Sequence, residues 1–445
     1  MANGVAQIRR SVMTLALPVT VSSLLQRTEG IVAVFLVGGL GAIPIAAVGL
    51  GQLLALIATT LVSGLSVGTN VIIAQQWGAR RYEEAGQASR HFLGLSIFVS
   101  FALALLGLSA NGLIMQLLGA QPEVIGLALP YSNLIFLVIP FTVLLAVLSS
   151  ILQGTGDTKT PMYAMIMVNV LHIAIAYPLI YGQWGLPAFG VKGAAVAVGI
   201  AEATGSVYLL LRCRAILKPS KRLRRDLLRT IWQVGAPVSG ERIVQQAGIL
   251  LYTKIVLIYG TVSYAAHQVG LSIESLSFLP GYGFAIAAAT MVGQSIGAGK
   301  YTRAKLENWE ANRLATFIMS AMGLVFFFFP YALLRAFTSD EAVIELGTTF
   351  LKIVALLQVP LALTMVLAGS LRGAGDTRFI MIATMIGMWG VRIPIAFVAG
   401  YWLTMGVFYV WLAMIADWTL RMALMLWRYR SERWKSIRVL RSSTT

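Results

Sequence analysis

The hydrophobic pattern of this chain consists of long apolar stretches separated by short polar segments. The stretches are rich in Leu, Ala, Gly and Met and show no strand-like alternation, and a helix needs about 20 residues to cross a hydrocarbon core. The pattern therefore predicts an all-α polytopic membrane protein with twelve transmembrane helices. The predicted spans are roughly 12–37, 45–74, 88–117, 123–153, 161–183, 190–215, 232–258, 264–293, 308–337, 342–371, 379–403 and 405–430.

Composition supports this class, because 58% of the residues are apolar and only 11% are charged, whereas soluble domains carry about 25% charged residues. The first apolar stretch is too long for a cleavable signal peptide and is interrupted by Gln26, Arg27 and Glu29. Cys213 is the single cysteine of the sequence, which argues against an intramolecular disulfide and a thiolate metal site.

Basic residues fall almost entirely on one side of the predicted membrane. If the amino terminus is cytoplasmic, the runs 212–229 and 427–441 are cytoplasmic too, and Lys192 and Arg335 are the exceptions outside. This positive-inside pattern predicts a multi-pass protein of the cytoplasmic membrane with both termini cytoplasmic. It also accounts for the net charge of +17 as a surface that faces anionic lipid rather than nucleic acid.

The sequence repeats itself at an offset of 219 residues. Matching landmarks are Pro18 and Pro237, Gly41 and Gly260, Gln75 and Gln294, and the octapeptides "LQGTGDTK" (152–159) and "LRGAGDTR" (371–378). Six spans in each half make the halves parallel repeats, related by a pseudo-two-fold axis along the membrane normal. We expect an amino-terminal lobe at 1–215, a basic cytoplasmic linker at 216–231, a carboxyl-terminal lobe at 232–430 and a basic cytoplasmic tail at 431–445.

The octapeptides predict turns between consecutive spans, because glycine permits tight turns. The turn residues are Gly156, Asp157, Gly375 and Asp376. Thr160 before Pro161 has the pattern of a helix N-cap, and Asp376 is expected to cap its helix in the same way. The glycine-rich stretch "SIGAGKY" (295–301) lacks the first glycine and the Ser/Thr of a P-loop, so the sequence shows no ATP site and favours transport driven by an ion gradient.

Several motifs together resemble one known family. They are the early proline of span one, "VGQSIGAGKYTRA" (292–304) after span eight, "LRGAGDTR" after span ten, and the stretches 267–294 and 179–197. Over essentially the whole chain this combination is similar to the multidrug and toxic compound extrusion (MATE) family. The resemblance implies two six-helix bundles around a V-shaped cavity, and export of organic cations or amphipathic toxicants in exchange for protons or sodium.

Ionisable residues inside spans are costly and are therefore candidates for coupling or substrate binding. Glu241 lies four residues after Pro237, and Glu241, Gln245 and Gly248 share a helix face, which predicts a polar stripe with room for a ligand. Glu274 lies in span eight between apolar runs. Because burial disfavours a charged carboxylate, two such groups in one lobe could exchange protons with the arrival of a cation.

The amino-terminal lobe departs from the family pattern at two places. The acid expected fifteen residues after the early proline is Ala33 here, and Glu29 stands one turn earlier. Glu29 either takes over the role or forms a structural ion pair. In span five, Asn169, His172 and Ala176 share a face, and His172 either replaces the family's acid or is a hydrogen-bonded packing residue. These departures move the expected coupling site to the carboxyl-terminal lobe.

Other polar and aromatic residues have structural interpretations beside functional ones. Arg392 is expected to pair with an acid across helices, Asp417 and Arg421 to pair locally one turn apart, and Glu202 to do either job. Possible cavity aromatics are Tyr252, Tyr282 and Tyr177.

Two other classes of transporter remain alternatives. A flippase for a lipid-linked or oligosaccharide substrate has a similar two-lobe build, but usually adds two spans and an Arg-lined cavity. A major facilitator transporter also has two halves, but its short basic motif matches "QQWGARRYEEAG" (75–86) poorly. An enzyme is not expected. We expect no cofactor beyond the coupling proton or sodium, no nucleic-acid partner, and a monomer in lipid that binds a small cationic or amphipathic substrate.

Overall fold

The computed structural model describes residues 2–217 and 225–437, and these ranges are built from helices and short connections. The parts of the predicted linker at 218–224 and of the predicted tail at 438–445 lie outside the described residues. The helices are α1 Ala2–Gly38, α2 Ala42–Gly78, α3 Tyr82–Leu117, α4 Pro122–Thr155, α5 Lys159–Tyr181, α6 Val191–Cys213, α7 Arg225–Leu257, α8 Thr261–Gly297, α9 Tyr301–Phe328, α10 Pro330–Arg335, α11 Glu341–Gly373, α12 Thr377–Met385, α13 Ile393–Phe397 and α14 Val407–Arg430.

Within the two described ranges, eleven helical segments are long and apolar enough to cross a membrane. The remaining predicted span, 232–258, corresponds to α7, which is 33 residues long but carries several Arg, Glu and Gln residues that lower its hydropathy. Span nine is shorter than predicted, since α9 ends at Phe328 and a separate short helix begins at Pro330. Proline cannot continue the hydrogen-bond ladder of a helix, which accounts for this break.

Span eleven is the least regular of the predicted spans. Between α12 and α13 the chain forms a π-helical turn at Ile386–Arg392, and a second one follows α13 at Val398–Trp402. Such wide turns are rare in proteins, and those that do occur are often found at functional sites. The π-helical turn Ile386–Arg392 brings a buried arginine into the interior described below.

The structure repeats at the offset read from the sequence. Helices α2 and α8 begin and end 219 residues apart, at Ala42–Gly78 and Thr261–Gly297. Each is preceded by a glycine with positive φ, 111° at Gly41 and 90° at Gly260, which only a residue without Cβ adopts easily. The octapeptide turns repeat as well, with φ of 97° at Gly156 and 89° at Gly375. The internal duplication is therefore confirmed down to individual backbone angles.

Packing divides the chain into two compact units. The N-unit comprises Val21–Ser239, and the C-unit comprises Met1–Thr20 together with Gly240–Thr445. Helices α1 and α7 each contribute residues to both units, and the changes at 20/21 and 239/240 are again 219 residues apart. These units differ from the predicted lobes 1–215 and 232–430 at residues 1–20 and 232–239, because the first turns of each half pack on the other half's helices.

The first residues of α1 and α7 thus pack in the unit formed mainly by the other half of the chain, and we call them exchanged helix ends. One close helix contact in each unit holds them. In the N-unit, a Cβ added at Gly64 of α2 would lie 2.2 Å from the carbonyl oxygen of Gly235, and the Gly64 amide donates to Ser239 Oγ at 3.3 Å. In the C-unit, a Cβ at Gly283 of α8 would lie 2.1 Å from Thr20 Oγ1 and 2.7 Å from the carbonyl oxygen of Ala16. The contacts are equivalent at the 219-residue offset, so the exchange is part of the duplicated design.

The two octapeptide turns use their aspartates differently. Asp157 accepts hydrogen bonds from the Thr160 amide at 3.0 Å and from the Thr160 hydroxyl at 2.6 Å. The expected Thr160 cap was therefore wrong: α5 begins at Lys159, and Asp157 serves its first turn. Asp376 precedes α12 but makes no capping bond, because its carboxylate accepts from Arg428 Nε at 2.6 Å.

The start of the predicted tail folds against the C-unit. A 3-10 turn at Arg433–Ser436 buries Trp434, whose indole donates to the Tyr429 carbonyl at 2.9 Å and stacks on the Tyr429 ring at 5.3 Å. Glu432 forms ion pairs with Lys305 and Lys435 beside this turn. Hydrogen bonding from Lys305, and then from Lys435, holds the pKa of Glu432 below its ordinary value. Residues 431–437 are thus docked on α9 and α14.

Candidate functional site

The polar interior of the N-unit centres on two carboxylates from different helices. Glu29 lies in α1 and Glu202 in α6, and their charges interact electrostatically. Glu202 is buried and accepts a hydrogen bond from the Thr142 hydroxyl of α4, while Glu29 has one buried carboxylate oxygen without a hydrogen-bond partner. Over the ranges that the structure covers, neither carboxylate forms an ion pair. The structural ion pair considered for Glu29 is therefore not found among the described residues, and the charge of Glu29 interacts unfavourably with that of Glu202.

Two predicted residues of span five lie in the same unit. Asn169 and His172 are both buried on α5, and Asn169 donates to the Met165 carbonyl of its own helix at 3.0 Å. Both ring nitrogens of His172 are buried without a hydrogen-bond partner in the described structure. The hydrogen bond expected of a packing histidine is therefore not found, and both interpretations of His172 stay open.

In the C-unit, Glu241 is locked in an ion pair. Its two carboxylate oxygens accept from Nη2 of Arg372 at 2.6 and 2.7 Å. Arg372 belongs to the second octapeptide, at the end of α11, so the octapeptide supplies a cation as well as a turn. The predicted room for a ligand beside Gly248 is not present. A Cβ at Gly248 would lie 2.2 Å from Met388 Cγ, so the Met388 side chain fills that space. Gln245 is half-buried on the same helix.

A buried cluster of three charges lies in the C-unit near the π-helical turn. Asp417 accepts from Arg421 Nε at 2.5 Å and Nη2 at 3.0 Å, which confirms the local pairing expected one turn apart. Arg392 Nε lies 2.8 Å from Asp417 Oδ2, which confirms its expected pairing across helices, although its angle does not make it a hydrogen bond. The side chains of Arg392, Arg421 and Asp417 are only 7%, 3% and 0% exposed.

Two aromatic rings flank the arginines of this cluster. The Arg392 guanidinium lies 5.6 Å from the centre of the Tyr252 ring and 5.9 Å from that of Trp418, and Arg421 lies 4.9 Å from Trp418. Such faces stabilise a desolvated cation. The Tyr252 hydroxyl donates to the Val410 carbonyl at 2.9 Å, so Tyr252 is a packing residue that stabilises Arg392.

Glu274 lies in α8 next to this cluster. It is buried, and its charge interacts with Arg392 and with Tyr252. No hydrogen bond or ion pair to its carboxylate is found among the residues described. Both acids of the predicted C-terminal site, Glu241 and Glu274, are therefore buried in protein, but only Glu241 contacts a cation directly.

The remaining predicted aromatics occupy more exposed positions. Tyr282 of α8 is half-buried, and Tyr177 of α5 is 46% exposed and packs against Tyr181 with the rings tilted at 50° and their centres 5.1 Å apart.

The acids of the candidate C-unit site are not repeated in the N-unit, although the helices that carry them are. At the 219-residue offset, Glu274 corresponds to Ala55, and Glu241 corresponds to Ser22. Sequence reasoning missed the partners Thr142 and Arg372, because neither lies at helical spacing from the acid it contacts. The signal for Arg372 was a change of charge between the octapeptides, since the first one carries the neutral Gln153 at the equivalent position.

Two six-helix repeats with buried, unevenly distributed charges are typical of a membrane transporter with duplicated architecture. The MatE family model matches the chain twice, over residues 18–178 and 237–398, so one match falls in each half. A probable multidrug resistance protein NorM of Thermotoga maritima is 31% identical, over 98% of this chain and 95% of its own. The multidrug resistance protein MdtK of Yersinia pseudotuberculosis is 26% identical, over 95% of each chain. The chain belongs to the MatE family.

Solved structures confirm the fold. An outward-facing multidrug resistance MATE family transporter superposes with a TM-score of 0.88 at 23% identity, covering 97% of each chain. A MOP superfamily transporter from Pyrococcus furiosus, described as having a binding pocket of reverse polarity, gives a TM-score of 0.88 at 23% identity and the same coverage. The predicted twelve-helix class of membrane transporter is therefore correct.

Proposed function

We propose that the protein exports organic cations or amphipathic toxicants across the cytoplasmic membrane in exchange for protons or sodium, by alternating access. The relatives named as multidrug resistance proteins support the export of such compounds. We propose both termini to be cytoplasmic, from the placement of basic residues. The observation that carries ion coupling is the pair Glu29 and Glu202, two mutually interacting carboxylates without a basic partner in the described part of the N-unit.

Two carboxylates that repel each other in a low-dielectric interior cannot both stay charged without a cation, because burial and mutual repulsion both oppose it. The pair therefore takes up a proton or a sodium ion when no substrate is bound. A cationic substrate competes for the same negative charge. Arrival of the substrate thus favours release of the ion, and this competition is the basis of exchange.

The other predicted site residues take supporting roles in this proposal. Thr142 orients Glu202 by its hydrogen bond, and Asn169 and His172 add polar groups from α5, which packs on α6. In the C-unit, Glu274 is the candidate acid without an ion-pair partner among the described residues, whereas Glu241 is paired with Arg372. The main exchange site therefore moves from the C-terminal lobe, favoured by sequence reasoning, to the N-unit. No structural observation favours the flippase alternative.

The test uses purified protein in lipid vesicles with efflux of a fluorescent organic cation as the readout. A proton gradient and a sodium gradient are imposed separately, on the wild type and on Glu29→Gln and Glu202→Gln. We expect one gradient to drive transport and each substitution to slow it at least tenfold, with weaker binding of the cationic substrate. Glu123→Gln, which changes an exposed acid in the first turn of α4, is the matched control. Normal transport by both buried-site variants would refute the site, and transport without any gradient dependence would refute ion exchange.

A further inference from the structure

The cluster of Arg392, Asp417 and Arg421 is not balanced in charge. Two guanidinium groups share one carboxylate, and all three side chains are more than nine-tenths buried. An uncompensated charge in such an interior costs several kcal/mol, so a fourth group of negative charge is expected nearby. Glu241 interacts electrostatically with Arg421, but both of its carboxylate oxygens already accept from Arg372, so it does not supply a counter-charge to Arg392.

Arg392 also has donors that are not used. Its Nε and Nη2 atoms are buried without hydrogen-bond partners in the described structure. A buried guanidinium nitrogen normally donates a hydrogen bond, and a buried donor without an acceptor destabilises the folded protein. The unused Nη2 therefore indicates a position at which a negatively charged oxygen is stabilised.

Glu274 is the carboxylate available to fill this position. It is buried, makes no ion pair within the part of the chain covered here, and interacts with Arg392 through its charge. The charged and titratable groups around it are Arg392 from the π-helical turn, Tyr252 from α7, Asp417 and Arg421 from α14, and His267 on its own helix. His267 has an unpartnered Nδ1 and lies 5.8 Å, ring to ring, from Tyr252.

The local backbone is shaped for this cluster. Arg392 is the last residue of the π-helical turn Ile386–Arg392, whose wide geometry displaces the side chains after it. Within the same turn, a Cβ at Gly387 would lie 2.2 Å from Asp417 Oδ1 and 2.5 Å from Arg421 Nε. At the repeat offset, Arg392 corresponds to Ile173 and Glu274 to Ala55, so the cluster was added to one half of a duplicated frame.

We propose that Arg392 is a positioning residue that couples the charge of Glu274 to the packing of span eleven. When Glu274 is ionised, the two arginines and two carboxylates form a neutral quartet. When Glu274 takes up a proton, Arg392 keeps Asp417 as its only counter-charge, and the electrostatic attraction between α8 and the π-helical turn is lost. This inference rests on the proposed ion exchange, and assigns the C-unit the response to the proton rather than its main binding site.

A double-mutant cycle tests the pairing without any transport measurement. Thermal unfolding of Glu274→Gln, Arg392→Gln and the double variant is followed in detergent at one pH. We expect the double variant to unfold at a higher temperature than Glu274→Gln, because it no longer buries an uncompensated charge. The unfolding equilibrium constant of the double variant should differ by about fivefold or more from the value expected if the two single substitutions acted independently. The control cycle combines Arg392→Gln with Glu307→Gln, whose carboxylate pairs with Arg303 and Ser295 instead, and should be additive.

The pH dependence of transport tests the coupling itself. Arg392→Gln should displace the pH profile of transport by at least about one unit, whereas Arg392→Lys, which keeps the charge, should retain the wild-type profile at a reduced rate. A cycle as additive as the control, or an unchanged profile in Arg392→Gln, overturns the proposal. Wild-type transport that ignores the proton gradient would refute proton exchange while leaving the cycle as an independent measure of the quartet.

Discussion

The contact between α2 and the first turns of α7 predicts that Gly64→Ala destabilises the N-unit strongly. The new methyl group would lie 2.2 Å from the Gly235 carbonyl oxygen, 2.9 Å from its carbon and 2.4 Å from Ser239 Oγ. Two of these three atoms belong to the backbone, and cannot rotate away. The helices must therefore separate, and the weak hydrogen bond from the Gly64 amide to Ser239 is lost as well.

The size of the effect follows from the cost of overpacking. Inserting a methyl group into a close-packed site costs about 1–3 kcal/mol. For domains of 150–250 residues, 1 kcal/mol shifts the unfolding temperature by about 2–4 °C. We therefore expect Gly64→Ala to lower the unfolding temperature by about 2–12 °C, even though alanine is the better helix former by roughly 1 kcal/mol.

The assay uses the lone cysteine. Cys213 is fully buried at the end of α6, in the same unit, so a thiol-reactive fluorescent dye reports its exposure on heating. Gly49→Ala on the same helix is the control, because a Cβ there meets nothing within 4 Å. That variant should unfold at the wild-type temperature or slightly above it. If Gly64→Ala behaves like Gly49→Ala, the close approach of α2 and α7 is wrong.

Three further predictions concern single side chains, each measured as a change in unfolding temperature or free energy. Trp434→Ala should cost about 3–5 kcal/mol, since a fully buried ring is removed, whereas Trp427→Ala, at a 53% exposed position, should change stability little; similar losses would contradict the docking of the terminal turn. Asp157→Ala should cost about 0.5–2 kcal/mol by removing the hydrogen bonds to the first turn of α5, and no loss would argue against that capping role. Glu241→Gln should cost about 3 kcal/mol by leaving Arg372 buried without its partner, and adding Arg372→Gln should recover part of the loss; strict additivity would contradict the ion pair.

The helices and their repeat could be predicted from the sequence, because both depend on local pattern. Apolar length identified the spans, and the landmarks at the 219-residue offset identified the duplication that the backbone angles of Gly41 and Gly260 confirm. The π-helical turns of span eleven could not be predicted, because they depend on how Arg392 and Gly387 pack around Asp417. The exchange of helix ends could not be predicted from the sequence either, because it depends on tertiary packing and leaves no local pattern.

The candidate site could be predicted as a set of residues but not as a set of partners. Glu29, Glu241 and Glu274 were identified because acids are rare inside spans. Their roles depend on distant neighbours: Arg372 neutralises Glu241, whereas Glu202 adds a second negative charge beside Glu29. The same residue type in the same kind of helix therefore has opposite electrostatic surroundings, which no local pattern records.

The exchanged helix ends have a consequence for biosynthesis. A ribosome that has released only the first six helices has supplied residues 21–213 of the N-unit but not the opening turns of α7 that complete it. The nascent residues 1–20 must meanwhile wait for helices α8, α9 and α11, against which Ile8, Val12 and Ala16 finally pack. Neither half can mature as a separate translation product, so a gene cut between α6 and α7 would yield two fragments that each need the other to be complete.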